Sequence, residues 1–401
     1  MPRYSNGARV ELTGQSQLLE QRLIPSTIEA NTFPLRVNHT TWLRNFQKAE
    51  QEANDLSEYC RYLAGDDNFR ANSPADCRKV LNVKSSDADT LTALFNAGSE
   101  LAGAVLDARS AISHWSQLRK WEKPALLGWV SPRWDSLGCP HGRYTSEAPC
   151  LNNRVRGIRE TIEPQPGFTF LSLDVKQAEY VTWASLSHDS NLCELFLSGK
   201  DFHEEMAAFV QSLVSSWNPE NLRQAGKTLN FSILYKMKPH TLAAKLGCSH
   251  RIARSIIRAY YKRASQGIKY SRKLLLQVRD QGFVDTFFGR RRFAFRYQDD
   301  SGDKREHHEI EKTLWSHHIA GTAAELVKLR QADIHEALRR EGLSSDDVRL
   351  SIQMYDQLIY SIKDELSDQI QPFIVNLWNK QEPGFLPFRS TIKTGKTWGE
   401  L

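Results

Sequence analysis

"VRLSIQMYDQLIYSIKDE", residues 348–365, holds two apolar runs that meet around a single carboxylate, Asp356. Ser351, Ile352, Met354, Leu358, Ile359 and Tyr360 suit a buried strand, whereas Asp356 and the glutamines Gln353 and Gln357 do not. A charge at such a place is costly unless it is paired or bound to a metal. The stretch therefore predicts strands that bring Asp356 beside a second acid, a cation, or both.

A matching run lies far upstream. "PGFTFLSLDV" (166–175) alternates like a strand after a Pro-Gly turn and ends its apolar stretch on Asp174. One strand-end aspartate is ordinarily a turn former or a cap. Two of them, on strands distant in sequence, suit a site that adjacent strands assemble. Carboxylates held that close repel unless a divalent cation neutralises them. Mg²⁺ takes one or two carboxylates and completes its shell with water and phosphate oxygens, which outlines a phosphoryl-transfer site.

The bulk numbers fit an ordinary globular protein. With 401 residues, 40% apolar and 25% charged, two or three packed units are expected. A net charge of +6 permits a polyanionic partner without requiring one. Six scattered cysteines with no CxxC pair read as free thiols of a reducing compartment. Cys139, His141 and Cys150 lack the second ligand cluster that a structural zinc needs. The N-terminus has no signal-peptide core and no window suits a membrane span, so a cytoplasmic protein with no membrane partner is expected.

Residues 1–30 are polar and weakly patterned and predict a loose arm or a stub. Trp42, Phe46, Ala49, Ala53, Leu56 and Tyr59 recur at helical spacing, Ser73 and Pro74 mark a helix start, and 91–122 continues as helix. Gly and Pro punctuate 128–166, helical patterning dominates 177–281, and "GFVDTFFGRRRFAF" (282–295) reads as a hairpin near Gly289. Helix returns at 308–340. A sheet built from distant segments with helical units inserted is the simplest architecture.

Three further groups carry chemistry. In "RQAGKTLNFSILY" (223–235), Arg223, Lys227, Phe231 and Tyr235 form one helical stripe, cations at one end and aromatics at the other. Such a stripe matches a nucleotide, phosphates on the cations and base against the rings; an amphipathic helix with core aromatics reads equally from the residues. Arg290, Arg291 and Arg292 form either a solvated turn or a clamp on backbone phosphates. His203, in "GKDFHEEMA" (199–207), is structural unless phosphate lies nearby.

In order, these segments resemble the polymerase region of family A DNA polymerases, the bacterial DNA polymerase I type. "LSLDVKQAEY" is similar to a palm motif whose usual form is D-Y-S-Q-I-E, and "RQAGKTLNFSILY" to the fingers helix R-x-x-x-K-x-x-x-F-x-x-x-Y. "GRYTSEAPCLNN", "FFGRRRF", "AGTAAELVK", "KTGKTWGE" and "FRANSPADCRKVL" also match, so the resemblance spans roughly 31–401. It implies an α+β right-hand polymerase fold with helical thumb, antiparallel palm sheet and helical fingers. The expected boundaries are an arm at 1–30, thumb at 31–122, palm at 123–205 and 295–401, and fingers with hairpin at 206–294.

The resemblance implies template-directed primer extension with dNTPs. Asp174, Asp356 and the Val175 carbonyl would hold two Mg²⁺ ions, with Mn²⁺ able to substitute. Gln177, Glu179, His203, Arg223, Lys227, Phe231 and Tyr235 would contact the nucleotide, Glu179 as a steric gate against the sugar 2′-hydroxyl and Tyr235 at the template position. Arg143, Asn152, Asn153, Arg290, Arg292 and Tyr355 would contact primer–template DNA. About 30 residues ahead of the thumb leave no room for a 3′–5′ exonuclease, so a separate exonuclease or processivity factor is an expected partner, in a bacterial cell or phage-infected host.

Departures from the family pattern are Tyr355 for a histidine, Gln357 for an acid, Ala320 for a glutamine, and Ser232 and Lys236 for glycines. They leave a second reading, a polymerase-derived nucleic-acid-binding protein with impaired catalysis. Intact Asp174, Asp356, Arg223 and Lys227 predict activity.

Overall fold

The computed structural model describes residues 8–151, 157–294, 297 and 304–401, and its centre is one antiparallel sheet. Across that sheet the strand order is Val348–Met354, Gln357–Lys363, Phe168–Val175 and Ser390–Gly395. The first two form a hairpin closed by Tyr355 and Asp356, with Met354 facing Gln357. The next pairing runs from Gln357↔Asp174 to Lys363↔Phe168. This register sets the turn carrying Asp356 beside the strand end carrying Asp174.

Successive strand residues point to opposite faces, yet every residue from Val348 to Met354 is buried, so both faces are covered. That is why the hairpin reads as unbroken apolar runs. The helix Gly14–Thr32 lies against the edge strand, and the helix Ser367–Trp378 packs on the two central strands. Phe170, Leu173, Ile352, Leu358, Ile359 and Ile362 are fully buried. Each such side chain contributes about 1.5–3 kcal/mol by leaving water.

Two helical bodies flank the sheet. In one, His39–Ala64 packs along Glu100–Arg119 over Cys60, Leu91, Val105 and Ala108. Asn38 caps the first helix by accepting from the Thr41 amide, and Gly65 ends it at φ 63°. In the other, Phe202–Leu213, Leu222–Leu234, His250–Arg263 and Ser265–Gln281 enclose Trp183, Met206, Leu229 and Tyr260. Gly226 lets two of these helices touch: a Cβ there would stand 2.1 Å from the His203 carbonyl oxygen.

Two expectations are corrected. Residues 10–32 are no loose arm: Val10–Leu12 pairs with Arg290–Phe293, and Gly14–Thr32 packs along the long helix Lys304–Arg340. Its buried face includes Glu20 and Glu29 beside Leu19 and Leu23, so the hydrophobic period that marks a helix is absent. Glu20 pairs with Arg290 and Lys328, and Glu29 with Arg339.

Arg290 is likewise not a DNA ligand. It is 0% exposed, paired with Glu20 and with Glu325, whose Oε1 lies 3.3 Å from Nε. A guanidinium sealed among carboxylates cannot reach a phosphate. Arg292, on the same strand, is half-buried.

Candidate active site

The strand Phe168–Val175 and the hairpin turn deliver the acids together. The Val175 amide donates to the Asp356 carbonyl at 3.0 Å, and Asp174 pairs with Gln357 across the strands. Asp174, Val175 and Asp356 line one side of a cleft of about 1060 Å³. Tyr355 makes the turn at φ 55°, a left-handed conformation that costs a non-glycine residue about 1–2 kcal/mol. Gln357 faces away, donating to Ser172 Oγ at 2.8 Å inside the sheet. No acid therefore follows Asp356 into the cleft.

Beyond Val175 the chain turns at Gln177, φ 59°, into the helix Ala178–Ser187, whose first turn opens on the same cleft. Glu179 sits there 7% exposed and is held from two sides. Arg143 Nη2 donates to its Oε1 at 2.7 Å, and the Tyr235 hydroxyl donates to its Oε2 at 2.6 Å. The same guanidinium lies 3.8 Å from Asp356 Oδ1 and over the Tyr355 ring at 5.6 Å. Burial works against the Arg143 charge, but Asp356 and Glu179 outweigh it and raise its pKa. Burial, followed by the Glu179 charge, raises the Tyr235 phenol, which keeps it a donor.

The opposite wall is the helix Leu222–Leu234. Arg223, Lys227, Phe231 and Tyr235 all reach the cleft, as four-residue spacing requires. Phe231 and Tyr235 stack at 6.4 Å with planes 5° apart, and Arg223 Nε donates to Asp201 Oδ2 at 2.9 Å. His203 stands behind the cations, buried, with Asn230 Nδ2 donating to its Nδ1 at 2.8 Å. Burial pulls its pKa down to about 4, and the Arg223 and Lys227 charges add to that pull. At neutral pH the imidazole is uncharged, with its proton on Nε2.

Three cleft cations escaped the sequence reading: Lys176, Lys200 and Arg389. Arg389 arrives because Ser390–Gly395 pairs with Phe168–Val175, a long-range event with no local signature. Lys200 precedes the Asp201 cap of Phe202–Leu213, a position that capping rules alone could have flagged. Lys236 occupies φ 53°, the left-handed conformation that suits the glycine usual there. Asn152 and Asn153 lie outside the described residues.

Two carboxylates and one main-chain carbonyl are hard oxygen donors on one rim of a polar cleft. Among the described residues no group of three or more His, Cys, Asp or Glu gathers to hold a metal. The donor set thus fits a cation that takes few protein ligands and fills its shell with water and phosphate oxygens.

A family model described as DNA polymerase family A matches residues 41–400. The chain belongs to DNA polymerase family A. The thermostable DNA polymerase I of Thermus filiformis is 28% identical over 68% of this chain and 33% of its own length. The DNA polymerase I of Rhizobium leguminosarum is 26% identical over 98% of this chain and 41% of its own. The chain thus spans from a third to two-fifths of these relatives. A solved structure, the POL domain of Pol1 from M. smegmatis in complex with DNA primer-template and dNTP, matches with a TM-score of 0.85. Identity is 22%, over 94% of this chain and 70% of that one, so the two share a fold. This family A chain accordingly has the α+β right-hand architecture, helical bodies flanking a central antiparallel sheet. No helix among the described residues is long and apolar enough to cross a membrane.

Proposed function

We propose that this chain extends a primer 3′ end on a DNA template with dNTPs, in the cytoplasm of a bacterial cell or an infected host. One observation carries the reading: Asp174 and Asp356 meet on the rim of a cleft whose far wall presents Arg223, Lys227, Phe231 and Tyr235. Acids on one side and cations with rings on the other suit a triphosphate lying between them.

Asp174, Asp356 and the Val175 carbonyl would hold two Mg²⁺ ions, or Mn²⁺, which when bound supply a nucleophilic primer oxygen and neutralise the triphosphate and departing pyrophosphate. Arg223 and Lys227 bind phosphate oxygens, and neutral His203 donates from Nε2 without adding charge. Phe231 packs on the incoming base, Gln177 lies at its sugar–phosphate side, and Tyr235 stacks at the template position. Glu179, clamped by Arg143 and Tyr235, crowds a sugar 2′-hydroxyl; a clamped carboxylate excludes better than a mobile one. Arg143 meets the duplex minor groove, where every base pair offers acceptors. Arg292 and Tyr355 contact the DNA near it; Asn152 and Asn153, outside the described residues, are further DNA-contact candidates.

Primer extension by wild type and Asp356→Asn tests this reading. The variant should lose about a thousandfold or more in single-turnover rate, roughly 4 kcal/mol of transition-state stabilisation. Equal rates would remove Asp356 from the chemistry. Duplex binding by wild type with no incorporation in Mg²⁺ or Mn²⁺ would select a binding role instead.

A further inference from the structure

Between Asn221 and Arg279 the chain carries fourteen lysines and arginines and no aspartate or glutamate. That excess is larger than the net +6 of all 401 residues, so everything outside the segment is net acidic. Arg223 and Lys227 line the active cleft. Most of the others lie elsewhere on the fingers, beyond anything the nucleotide site requires.

Four of them, Arg251, Arg254, Arg258 and Lys262, are exposed on the helix His250–Arg263. Helix geometry sets all four within an arc of about 80°. The opposite face, Ala253, Ile256 and Tyr260, is buried. Among the described residues none of the four pairs with an acid, and Arg258 donates only to Ser255 of its own helix at 3.2 Å. Solvated basic faces commonly carry acids one turn away that neutralise them. Here neighbouring charges repel, and a polyanion laid along the row would relieve that repulsion.

The row connects to the template end of the cleft. Directly after Tyr235, Lys236 and Lys238 line a second cavity of about 290 Å³. Its other walls include Arg272, Glu311, whose carboxylate lies 4.0 Å from Lys236 Nζ, and Ile257 and Tyr261, which lie on the flank of the basic helix next to Arg254 and Arg258. Cations thus run from Tyr235, past the Lys236–Glu311 pair, through Lys238 and Arg272, to the exposed row. A strand leaving Tyr235 meets them in that order, whereas a strand displaced from the template has no such starting point.

We propose that Arg251, Arg254, Arg258 and Lys262 hold the sugar–phosphate backbone of the unpaired template strand ahead of the active cleft. This rests on the polymerase reading, because Tyr235 sets the strand's path. Guanidinium groups grip phosphate without reading bases, so the contact is independent of sequence.

The test measures binding of two primer–templates with the same duplex and 5′ template overhangs of about two and about twelve nucleotides, a span matched to single-strand sites. Wild type should bind the long overhang about tenfold more tightly and with a steeper salt dependence. In Arg251→Ala/Arg254→Ala/Arg258→Ala/Lys262→Ala the gain should vanish, and the log–log salt slope should fall by about 2 to 3, near 0.7 per lost phosphate contact. Extension of the short-overhang primer should stay at the wild-type rate, which shows the fold intact. Should the quadruple variant unfold, Arg258→Glu reads the same loss, and Arg251→Lys/Arg254→Lys/Arg258→Lys should keep the gain. An equal gain in wild type and variant overturns the proposal. So does a gain that needs a displaced non-template flap instead of a template overhang. If wild type extends neither primer, the polymerase reading fails, while the overhang gain still reports on the row.

Discussion

Two of the arginine–carboxylate clusters among the described residues differ sharply in their surroundings. Arg143 bridges Glu179 and Asp356 at the edge of the large cleft. Arg290 pairs with Glu20 and Glu325 and is sealed from solvent, with Lys328 beside it. In the sealed cluster burial pulls the Lys328 ammonium down to about 8 and pushes the Glu325 carboxyl up. Those charges are committed to one another and join the N-terminal helix to the strand Arg290–Phe293 and the long helix Lys304–Arg340. The Arg143 cluster keeps one side open, so its charges can be re-partnered by a ligand. Similar residues are thus locked to one another where they are enclosed and left open to a ligand where a cleft reaches them.

The contrast predicts different failures. Arg290→Ala should lower unfolding free energy by about 3–5 kcal/mol, because it strands buried carboxylates. Chemical denaturation reads this, and a loss under about 1 kcal/mol would contradict the sealed cluster. Arg143→Ala should keep most of its stability, since water can reach Glu179 and Asp356 from the cleft, while primer extension falls about a hundredfold. If the two variants lost stability equally, exposure would not be the distinguishing variable.

Glu179→Ala should admit rNTPs, read as the ratio of kcat/KM for dNTP and rNTP. Tyr235→Phe removes only one of the clamp's two hydrogen bonds, about 1 kcal/mol, and should relax that ratio about fivefold. An unchanged ratio in both variants would remove the gate from Glu179.

The smallest effect concerns His203. Its pKa falls from an ordinary 6.5 unfolded to about 4 folded. Between those values the unfolded chain binds the extra proton, so stability rises with pH through that window and is lost as pH falls. His203→Gln should flatten this slope between about pH 4 and 6.5 and leave it unchanged above. His141, pushed to about 3 by burial and nearby arginines, contributes in the same direction, so the difference between wild type and variant isolates His203.

The central sheet was legible in the sequence because two apolar runs ended on aspartates, and the stripe from Arg223 to Tyr235 because spacing by four fixes one helix face. Arg290 was not, because neighbouring arginines look alike until a register decides which one points inward. The N-terminal helix was hidden by burying acids in place of an apolar face. Arg389 depended on a strand pairing that no local pattern announces.

The central claim is that Asp174 and Asp356 act as one unit. A double-mutant cycle of Asp174→Asn and Asp356→Asn on single-turnover primer extension measures this directly. The account predicts that each single variant loses about as much rate as the pair together, because removing either acid disables the shared site. Independent, additive losses, or extension near the wild-type rate in either single variant, would contradict it.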